Sequence, residues 1–155
     1  MMMPLTCNVL EKLSGKTLCT AESCTGGGIG AALTAVPGSS EIYKGGIISY
    51  TNEIKQKLLG INPFLLKNLG AVSAPIAEAM AIGARNALNT DIAVSVTGLA
   101  GPGGDDKGNP VGLVFVGYAD DKRITSRRFV FSGDREEVRN QAVEAALKLI
   151  LELNG

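Results

Sequence analysis

The sequence predicts an α/β fold in which a mixed β-sheet is flanked by helices on both sides, giving three layers. Apolar runs with strand character alternate along the chain with runs of helical periodicity, which is typical of α/β proteins. Two strand-like runs, 111–119 and 123–131, are joined by a short polar segment and predict an antiparallel hairpin. Because no linker or internal repeat interrupts this pattern, we expect one domain over residues 1–155.

The first half of the chain alternates helices with two strands. In order, the predicted elements are a helix over 5–14, a strand over 17–20, a helix over 29–36, a strand over 46–50 and a helix over 53–59. Gly15 is placed to end the first helix, and Asn52 is a typical N-cap for the last. A glycine-rich turn, 26–28, connects the first strand to the helix that follows it.

The second half adds three helices, a third strand and the hairpin. In order, these elements are a helix from Asn62-Pro63 to Gly70, a helix from Ser73 to Leu88, a strand over 91–96, the hairpin, and a last helix. Asp134 and Glu137 form a capping-box pair that opens the last helix. The small residues of the helix ending at Leu88 suit packing on the sheet or on a second subunit, and the pattern leaves both open.

The composition excludes several classes of function. The chain has 155 residues and no His, so His-based catalytic triads, HExxH zinc sites and His-ligated iron are excluded, and we expect neither a metal nor a cofactor. With 15 basic and 15 acidic residues, it has no electrostatic basis for binding nucleic acid or an anionic membrane. Three cysteines without a CxxC motif, and no signal peptide, favour a cytoplasmic protein. Of these, Cys7 and Cys19 are expected to pack in the core.

Ser23 is the first candidate for a catalytic residue. It stands between a strand and a glycine-rich turn that opens a helix, where α/β proteins place ligands and where backbone N–H groups can stabilise an oxyanion. The simpler interpretation is that Ser23 or Thr25 only caps the helix. Cys24 is the rival nucleophile, but no His is present to generate its thiolate. The match of Gly26-x-Gly28-x-x-Ala31 to a dinucleotide-binding fingerprint is too unspecific to carry an assignment.

Lys55 is the candidate general base, with Tyr50 beside it. Lys55 falls in the first turn of a short helix, where the helix dipole opposes a cation and should lower the pKa of the ammonium. In a chain without His, a neutral lysine is a suitable base for a serine nucleophile. The alternative is a solvated surface lysine next to Lys57.

Two arginines and a third strand end complete the candidate site. Arg135 and Arg139 lie four residues apart at the start of the last helix, where both oppose the dipole and repel each other. A bound anion such as a phosphate would offset that cost, although neighbouring acidic residues could do so too. Thr97 and Gly98 follow the third strand and are expected to face the same crevice as Ser23.

Six motifs in fixed order identify the chain as similar to the CinA C-terminal domain, the PncC family of nicotinamide-nucleotide amidases. They are Thr20-Ala-Glu-Ser-Cys-Thr-Gly-Gly27, Tyr50-Thr-Asn-Glu-Ile-Lys55, Gly70-Ala-Val-Ser-Ala-Pro75, Val96-Thr-Gly-Leu-Ala-Gly-Pro102, Pro110-Val-Gly112 and Phe131-Ser-Gly-Asp-Arg135. The resemblance covers residues 10–149. Longer members carry an additional N-terminal domain, so this chain resembles the stand-alone form.

The resemblance implies hydrolysis of nicotinamide mononucleotide to nicotinate mononucleotide and ammonia. By motif position it implies Ser23 as nucleophile, with Lys55 and Tyr50 as the other catalytic residues. Together with the residue-level arguments, it gives these candidate substrate-binding residues: Thr25, Gly26, Gly27, Ser39, Ser40, Thr97, Gly98, Arg135 and Arg139. The expected partner is therefore a small nucleotide, and we expect no binding to nucleic acid or to a membrane. A homo-oligomer is possible, and the sequence does not decide the oligomeric state.

Two other classes of function remain as alternatives. The same glycines and arginines could serve a non-catalytic nucleotide-binding module that acts as a sensor or scaffold. Such a module needs no shifted lysine, so the pKa of Lys55 separates it from the enzyme. A partner protein in DNA uptake or repair is suggested only by the competence-associated name of the family.

Overall fold

The computed structural model describes residues 2–155, and these residues form five strands and six α-helices. The strands are β1 Leu18–Glu22, β2 Tyr43–Ile48, β3 Ile92–Gly98, β4 Leu113–Ala119 and β5 Ile124–Val130. The helices are α1 Met2–Lys12, α2 Gly28–Thr34, α3 Asn52–Leu59, α4 Pro63–Leu69, α5 Ala74–Leu88 and α6 Arg135–Asn154. A single turn of 3-10 helix, Ser39–Glu41, precedes β2.

The five strands form one mixed sheet in the order β2-β1-β3-β4-β5. β1 runs parallel to both of its neighbours, β2 and β3, whereas β4 is antiparallel to β3 and to β5. The predicted hairpin is therefore confirmed as β4 and β5. Because β1, β2 and β3 point the same way, their carboxyl ends meet at one edge of the sheet, and Ser23, Ser49 and Gly98 lie there.

Helices cover both faces of the sheet, which confirms the predicted three layers. Helices α1, α2 and α6 bury their apolar residues in a cluster on one face. Helices α3, α4 and α5 contribute to a second cluster on the other face. The small residues of α5 serve this intramolecular packing, since Ala77, Ala81 and Ala84 are fully buried. Gly117 of β4 lies so close to the Ala77 carbonyl that a Cβ there would collide with it.

Several predicted boundaries shift because pairing in the sheet overrides local propensity. The strand expected at 46–50 begins earlier, at Tyr43, because its two glycines hide the strand pattern, whereas pairing with β1 supplies the hydrogen bonds of the ladder.

The N-cap of α3 is Thr51, whose Oγ1 accepts from the N–H of Ile54, so the assignment to Asn52 is wrong. The capping box of Asp134 and Glu137 is confirmed. Cys19 is buried as expected, but Cys7 is exposed on α1.

Within residues 2–155, no helix combines the length and the apolar character needed to cross a membrane.

Candidate active site

A cleft of about 830 Å³ opens at the carboxyl edge of β1, β2 and β3. Its volume lies within the range of ordinary small-molecule sites. Helices α3 and α4 form one wall, and the segment that follows β3, 99–107, forms much of the other. Six of the predicted site residues line it and come from four separate segments: Ser23, Tyr50, Lys55, Thr97, Gly98 and Arg135.

Ser23 and Lys55 form a buried hydrogen-bonded pair at the floor of this cleft. The Lys55 Nζ lies 2.9 Å from the Ser23 Oγ. Lys55 is only 1% exposed and Ser23 only 7% exposed. Ser23 is fixed from the other side, because its N–H donates to the carbonyl of Val96 on β3 at 3.0 Å. A nucleophile within hydrogen-bond reach of a base is the arrangement that acyl transfer needs.

The environment of Lys55 favours the neutral amine. Burial lowers the pKa of its ammonium from an ordinary value near 10.5 to about 8. The direction agrees with the expectation from the helix dipole, but the main physical cause is loss of solvent. The Lys55 Nζ also donates to the carbonyl of Ser49 at 2.8 Å and approaches that of Tyr50 at 3.5 Å. The Ser23 Oγ and these two carbonyl oxygens can accept the three N–H groups of an ammonium, and once the amine is neutral the two carbonyls can take its two N–H groups and leave its lone pair to the Ser23 hydroxyl.

Cys24 lines the same cleft, but its thiol differs from the Ser23 hydroxyl in its environment. Its side chain is buried, and burial raises the pKa of the thiol to about 11. A thiol with that pKa holds its proton at neutral pH and is a poor nucleophile. The structure therefore favours Ser23 over Cys24, in line with the ranking from sequence.

The turn after Ser23 is held by a residue that the sequence analysis did not single out. The carboxylate of Glu22 accepts hydrogen bonds from the N–H groups of Ile29 and Gly30 and from the Thr25 hydroxyl. The first N–H groups of α2 are consequently occupied by the protein itself. The N–H groups of α2 are therefore not available to a ligand, and any free donor has to come from the turn that precedes the helix.

Three N–H groups of the turn remain available. Those of Cys24, Thr25 and Gly27 donate to no other residue among those the structure describes. Gly27 adopts φ 100°, a left-handed conformation that favours glycine. The turn thus keeps three donors without a partner within four residues of Ser23, and of these residues Cys24 lines the cleft.

Tyr50 and Arg135 form a second, exposed pair at the mouth of the cleft. The Arg135 Nη2 donates to the Tyr50 hydroxyl at 3.0 Å, and its Nη1 donates to the carbonyl of Gly101 at 2.7 Å. Tyr50 is 58% exposed. Its hydroxyl forms no hydrogen bond to Ser23 or Lys55 in the described residues, so its contact with Lys55 is through the main chain. Arg135 keeps further N–H groups for a ligand.

Arg139 does not line the main cleft and instead contacts the turn that follows Ser23, residues 24–28. Its Nε donates to the carbonyl of Cys24 at 2.9 Å and its Nη2 to that of Thr25 at 3.2 Å. It lines a separate hollow of about 350 Å³, which Arg135 also borders. The two arginines thus border one hollow, and Arg139 in addition braces the turn through its two hydrogen bonds.

Of the remaining predicted residues, some line the cleft and others lie outside it. Thr97 and Gly98 line the cleft, but the Thr97 hydroxyl donates to the carbonyl of Ala71. Thr25 turns its hydroxyl to Glu22. Ser39 and Ser40 lie in the 3-10 turn before β2, at the opposite edge of the sheet, because β2 runs parallel to β1. The structure does not bring these two serines to the cleft.

No group of three or more His, Cys, Asp or Glu residues within 2–155 is arranged to hold a metal ion.

Comparisons with known proteins show which family and which proteins this chain is similar to. The family model described as the CinA C-terminal domain matches residues 4–154. A CinA-like protein of Endomicrobium trichonymphae is 49% identical over 135 residues, which is 87% of this chain and 32% of that protein. A CinA-like protein of Thermosynechococcus vestitus is 51% identical over 138 residues, or 87% of this chain and 33% of that protein. The chain thus spans about a third of the length of these curated relatives.

Solved structures give the same result for the fold. The crystal structure of a competence-damaged protein (CinA) superfamily protein from Klebsiella pneumoniae superposes with a TM-score of 0.97 at 34% identity, covering 99% of this chain and 98% of that one. A competence/damage inducible protein from Agrobacterium tumefaciens superposes with a TM-score of 0.95 at 36% identity, covering 99% and 96% of the two chains.

Proposed function

The chain belongs to the CinA C-terminal domain family, and on that premise we propose that it is an amidohydrolase with a serine nucleophile and a lysine base. The proposed reaction converts nicotinamide mononucleotide to nicotinate mononucleotide and ammonia, a step in the recycling of pyridine nucleotides. The observation that carries the proposal is the buried 2.9 Å contact between the Lys55 Nζ and the Ser23 Oγ.

The first step is attack by Ser23 on the carboxamide carbon of the substrate. Neutral Lys55 removes the proton from the Ser23 hydroxyl while the Ser23 Oγ bonds to that carbon. Because burial lowers the pKa of Lys55 to about 8, a fraction of the protein molecules has a neutral Lys55 amine near pH 7. The carbonyls of Ser49 and Tyr50 orient the amine throughout.

The tetrahedral intermediate then collapses to an ester on Ser23. Its oxyanion would be held by unpaired N–H groups of the turn, those of Cys24, Thr25 and Gly27. The carbon–nitrogen bond breaks, the Lys55 ammonium returns its proton to the departing nitrogen, and ammonia leaves. Lys55, neutral again, removes a proton from a water molecule that attacks the ester and releases the carboxylic acid together with free Ser23.

Arg135 is the residue best placed to bind the substrate phosphate. It borders the cleft at a distance from the buried pair, as a nucleotide needs if its amide is to reach Ser23. Its guanidinium has two fixed partners, Gly101 and Tyr50, and keeps donors for a phosphate oxygen. Tyr50 then serves to hold Arg135 in place, and it reaches Lys55 only through its carbonyl.

The lowered pKa of Lys55 also weighs against the alternative of a nucleotide-binding sensor or scaffold. A buried lysine costs stability, and a protein that only binds gains nothing from a neutral amine against a serine hydroxyl. The partner in this proposal is a small nucleotide, since a net charge of zero provides no attraction to nucleic acid. A cytoplasmic location also belongs to the proposal, supported by the three free cysteines.

Ammonia release tests the proposed reaction. Purified protein is incubated with nicotinamide mononucleotide, without added metal, beside the variant Ser23→Ala. We expect the wild type to release one ammonia for each nicotinate mononucleotide formed, and Ser23→Ala to lose activity by at least about a thousandfold while it keeps its fold. Turnover by Ser23→Ala would contradict the nucleophile. Saturable binding of the nucleotide without any release would favour the sensor.

A further inference from the structure

Glu22 is the only buried carboxylate among residues 2–155, and the reaction described above does not use it. It is 2% exposed and forms no ion pair within that part of the chain. A charge that is buried without a counter-charge is costly unless several hydrogen bonds compensate it. Its place immediately before Ser23 connects that cost to the catalytic turn.

Four donors converge on the Glu22 carboxylate. The Oε1 accepts from the Thr25 hydroxyl at 2.8 Å and from the N–H of Ile29 at 2.8 Å. The Oε2 accepts from the N–H of Gly30 at 3.0 Å and from the Thr20 hydroxyl at 3.2 Å. The carboxylate thus connects the end of β1 to Thr25, which precedes the glycine-rich turn 26–28, and to the first turn of α2, which follows it.

The opposite side of the same turn is held by Arg139. Its guanidinium binds the carbonyls of Cys24 and Thr25, whereas Glu22 binds N–H and hydroxyl groups. An anion therefore fixes the donors of the turn and a cation fixes its acceptors. Between these two anchors the N–H groups of Cys24, Thr25 and Gly27 stay unpaired next to Ser23.

From this arrangement we propose that Glu22 is a positioning residue, whose carboxylate holds the turn so that its free N–H groups stabilise the oxyanion formed when Ser23 reacts. The inference rests on the proposed function, because an oxyanion forms only if Ser23 is a nucleophile. Glu22 does not line the cleft and forms no hydrogen bond to the Ser23 Oγ. It acts through Thr25 and through the start of α2.

The substitution Glu22→Gln tests this role with little change of shape. The glutamine keeps one oxygen acceptor, but its NH2 group must face the N–H of either Ile29 or Gly30, and a backbone N–H cannot turn away. The matched control is Glu78→Gln, which removes a carboxylate that accepts from Ser126 on the far side of the sheet.

Two readouts separate a positioning role from a merely structural one. The first is the kcat and KM for nicotinamide mononucleotide, measured well below the unfolding temperature of each variant. The second is the rate at which a fluorophosphonate phosphonylates Ser23, a reaction in which the serine oxygen bonds to phosphorus and fluoride leaves. The probe needs the nucleophile and the oxyanion donors but no nucleotide.

For Glu22→Gln we expect kcat and the phosphonylation rate to fall by about 10- to 100-fold, in proportion to each other, with KM changed by less than about threefold. Glu78→Gln should keep both rates. A Glu22→Gln protein that is less stable but phosphonylated at the wild-type rate would overturn the inference and leave the proposed function intact. A wild type that neither releases ammonia nor reacts with the probe would overturn both.

Thr25 provides a second route if Glu22→Gln does not fold. Thr25→Val removes the hydroxyl that donates to Glu22, and Thr25→Ser restores it. We expect Thr25→Val to be phosphonylated several-fold more slowly than the wild type and Thr25→Ser to recover most of that loss. Equal rates for the serine and valine variants would contradict the inference.

Discussion

The cleft has two polar pairs that differ in burial, and in the proposed function the buried pair carries out the chemistry while the exposed pair binds the substrate. Lys55 and Ser23 are almost fully buried at the floor, where loss of solvent lowers the pKa of the lysine to about 8. Tyr50 and Arg135 meet at the mouth, where Tyr50 is 58% exposed. Burial thus changes the protonation of the inner pair, while the outer pair keeps a charge available to a ligand. We expect substitutions in the two pairs to have different kinetic signatures.

Loss of the base should give the largest effect after loss of the nucleophile. Lys55→Met removes the group that accepts the Ser23 proton, and we expect kcat to fall by about 100- to 10,000-fold. Lys55→Arg should be equally impaired, because a guanidinium stays charged. The exposed Lys57, on the same helix, provides the matched control as Lys57→Met.

The pH profile adds a direct test of the inner pair. Because only the neutral amine is active, kcat/KM of the wild type should rise about tenfold per pH unit and level off above about 8. A profile that is flat from pH 6 to 10 would contradict the role of Lys55.

Loss of the outer cation should have a smaller effect that depends on the substrate. Arg135→Gln removes a charge-assisted hydrogen bond to phosphate, and we expect kcat/KM for nicotinamide mononucleotide to fall by about 10- to 100-fold, mainly through KM. For the corresponding nucleoside, which lacks the phosphate, the loss should stay below about threefold.

Steady-state kinetics with both substrates measure this difference. Arg128→Gln, on the exposed side of β5, is the control for the removal of an arginine. Equal losses for the nucleotide and the nucleoside would remove Arg135 from phosphate binding and make it a structural partner of Tyr50.

A further effect is expected on stability instead of activity, and it comes from the inner pair alone. The pKa of Lys55 is about 8 in the folded protein, whereas a solvated lysine has a value near 10.4. Between these values the unfolded chain binds more protons, so the free energy of unfolding rises with pH. Relative to Lys55→Met, the wild type should gain up to about 1.4 kcal/mol per pH unit across this window, and about 3 kcal/mol in total.

Urea unfolding at several pH values from 7 to 10.5 measures that gain. The difference between the wild type and Lys55→Met is the relevant quantity, because other titrations largely cancel in it. A difference that does not change with pH would show that burial leaves the lysine as in solution.

The sequence was sufficient for the sheet edge, which depends on local patterns, whereas the pairing of Ser23 with Lys55 rested on the family resemblance as well. Strands that end shortly before Ser23 and Tyr50, followed by helices, place those residues at one edge of a parallel sheet. The lowered pKa of Lys55 was predicted from the helix dipole, but burial causes most of it, and burial depends on how α3 packs on the sheet.

Other features of the site depend on contacts that are distant in sequence. Arg139 reaches Cys24 and Thr25 across more than a hundred residues, so no local pattern showed that it braces the turn. Glu22 did leave a signal, since a carboxylate at the end of an otherwise apolar buried strand requires partners. The placement of Ser39 follows from the direction of β2, which local spacing alone does not give.

Detection of a covalent intermediate on Ser23 tests the central claim most directly. Protein mixed with nicotinamide mononucleotide is quenched with acid within milliseconds to seconds and analysed by intact and peptide mass spectrometry, at pH 6 and at pH 9. We expect an adduct with the mass of the nucleotide minus ammonia on Ser23, formed faster at pH 9, and none in Ser23→Ala. Ammonia release without any adduct, or an adduct on Cys24, would contradict a serine nucleophile activated by Lys55.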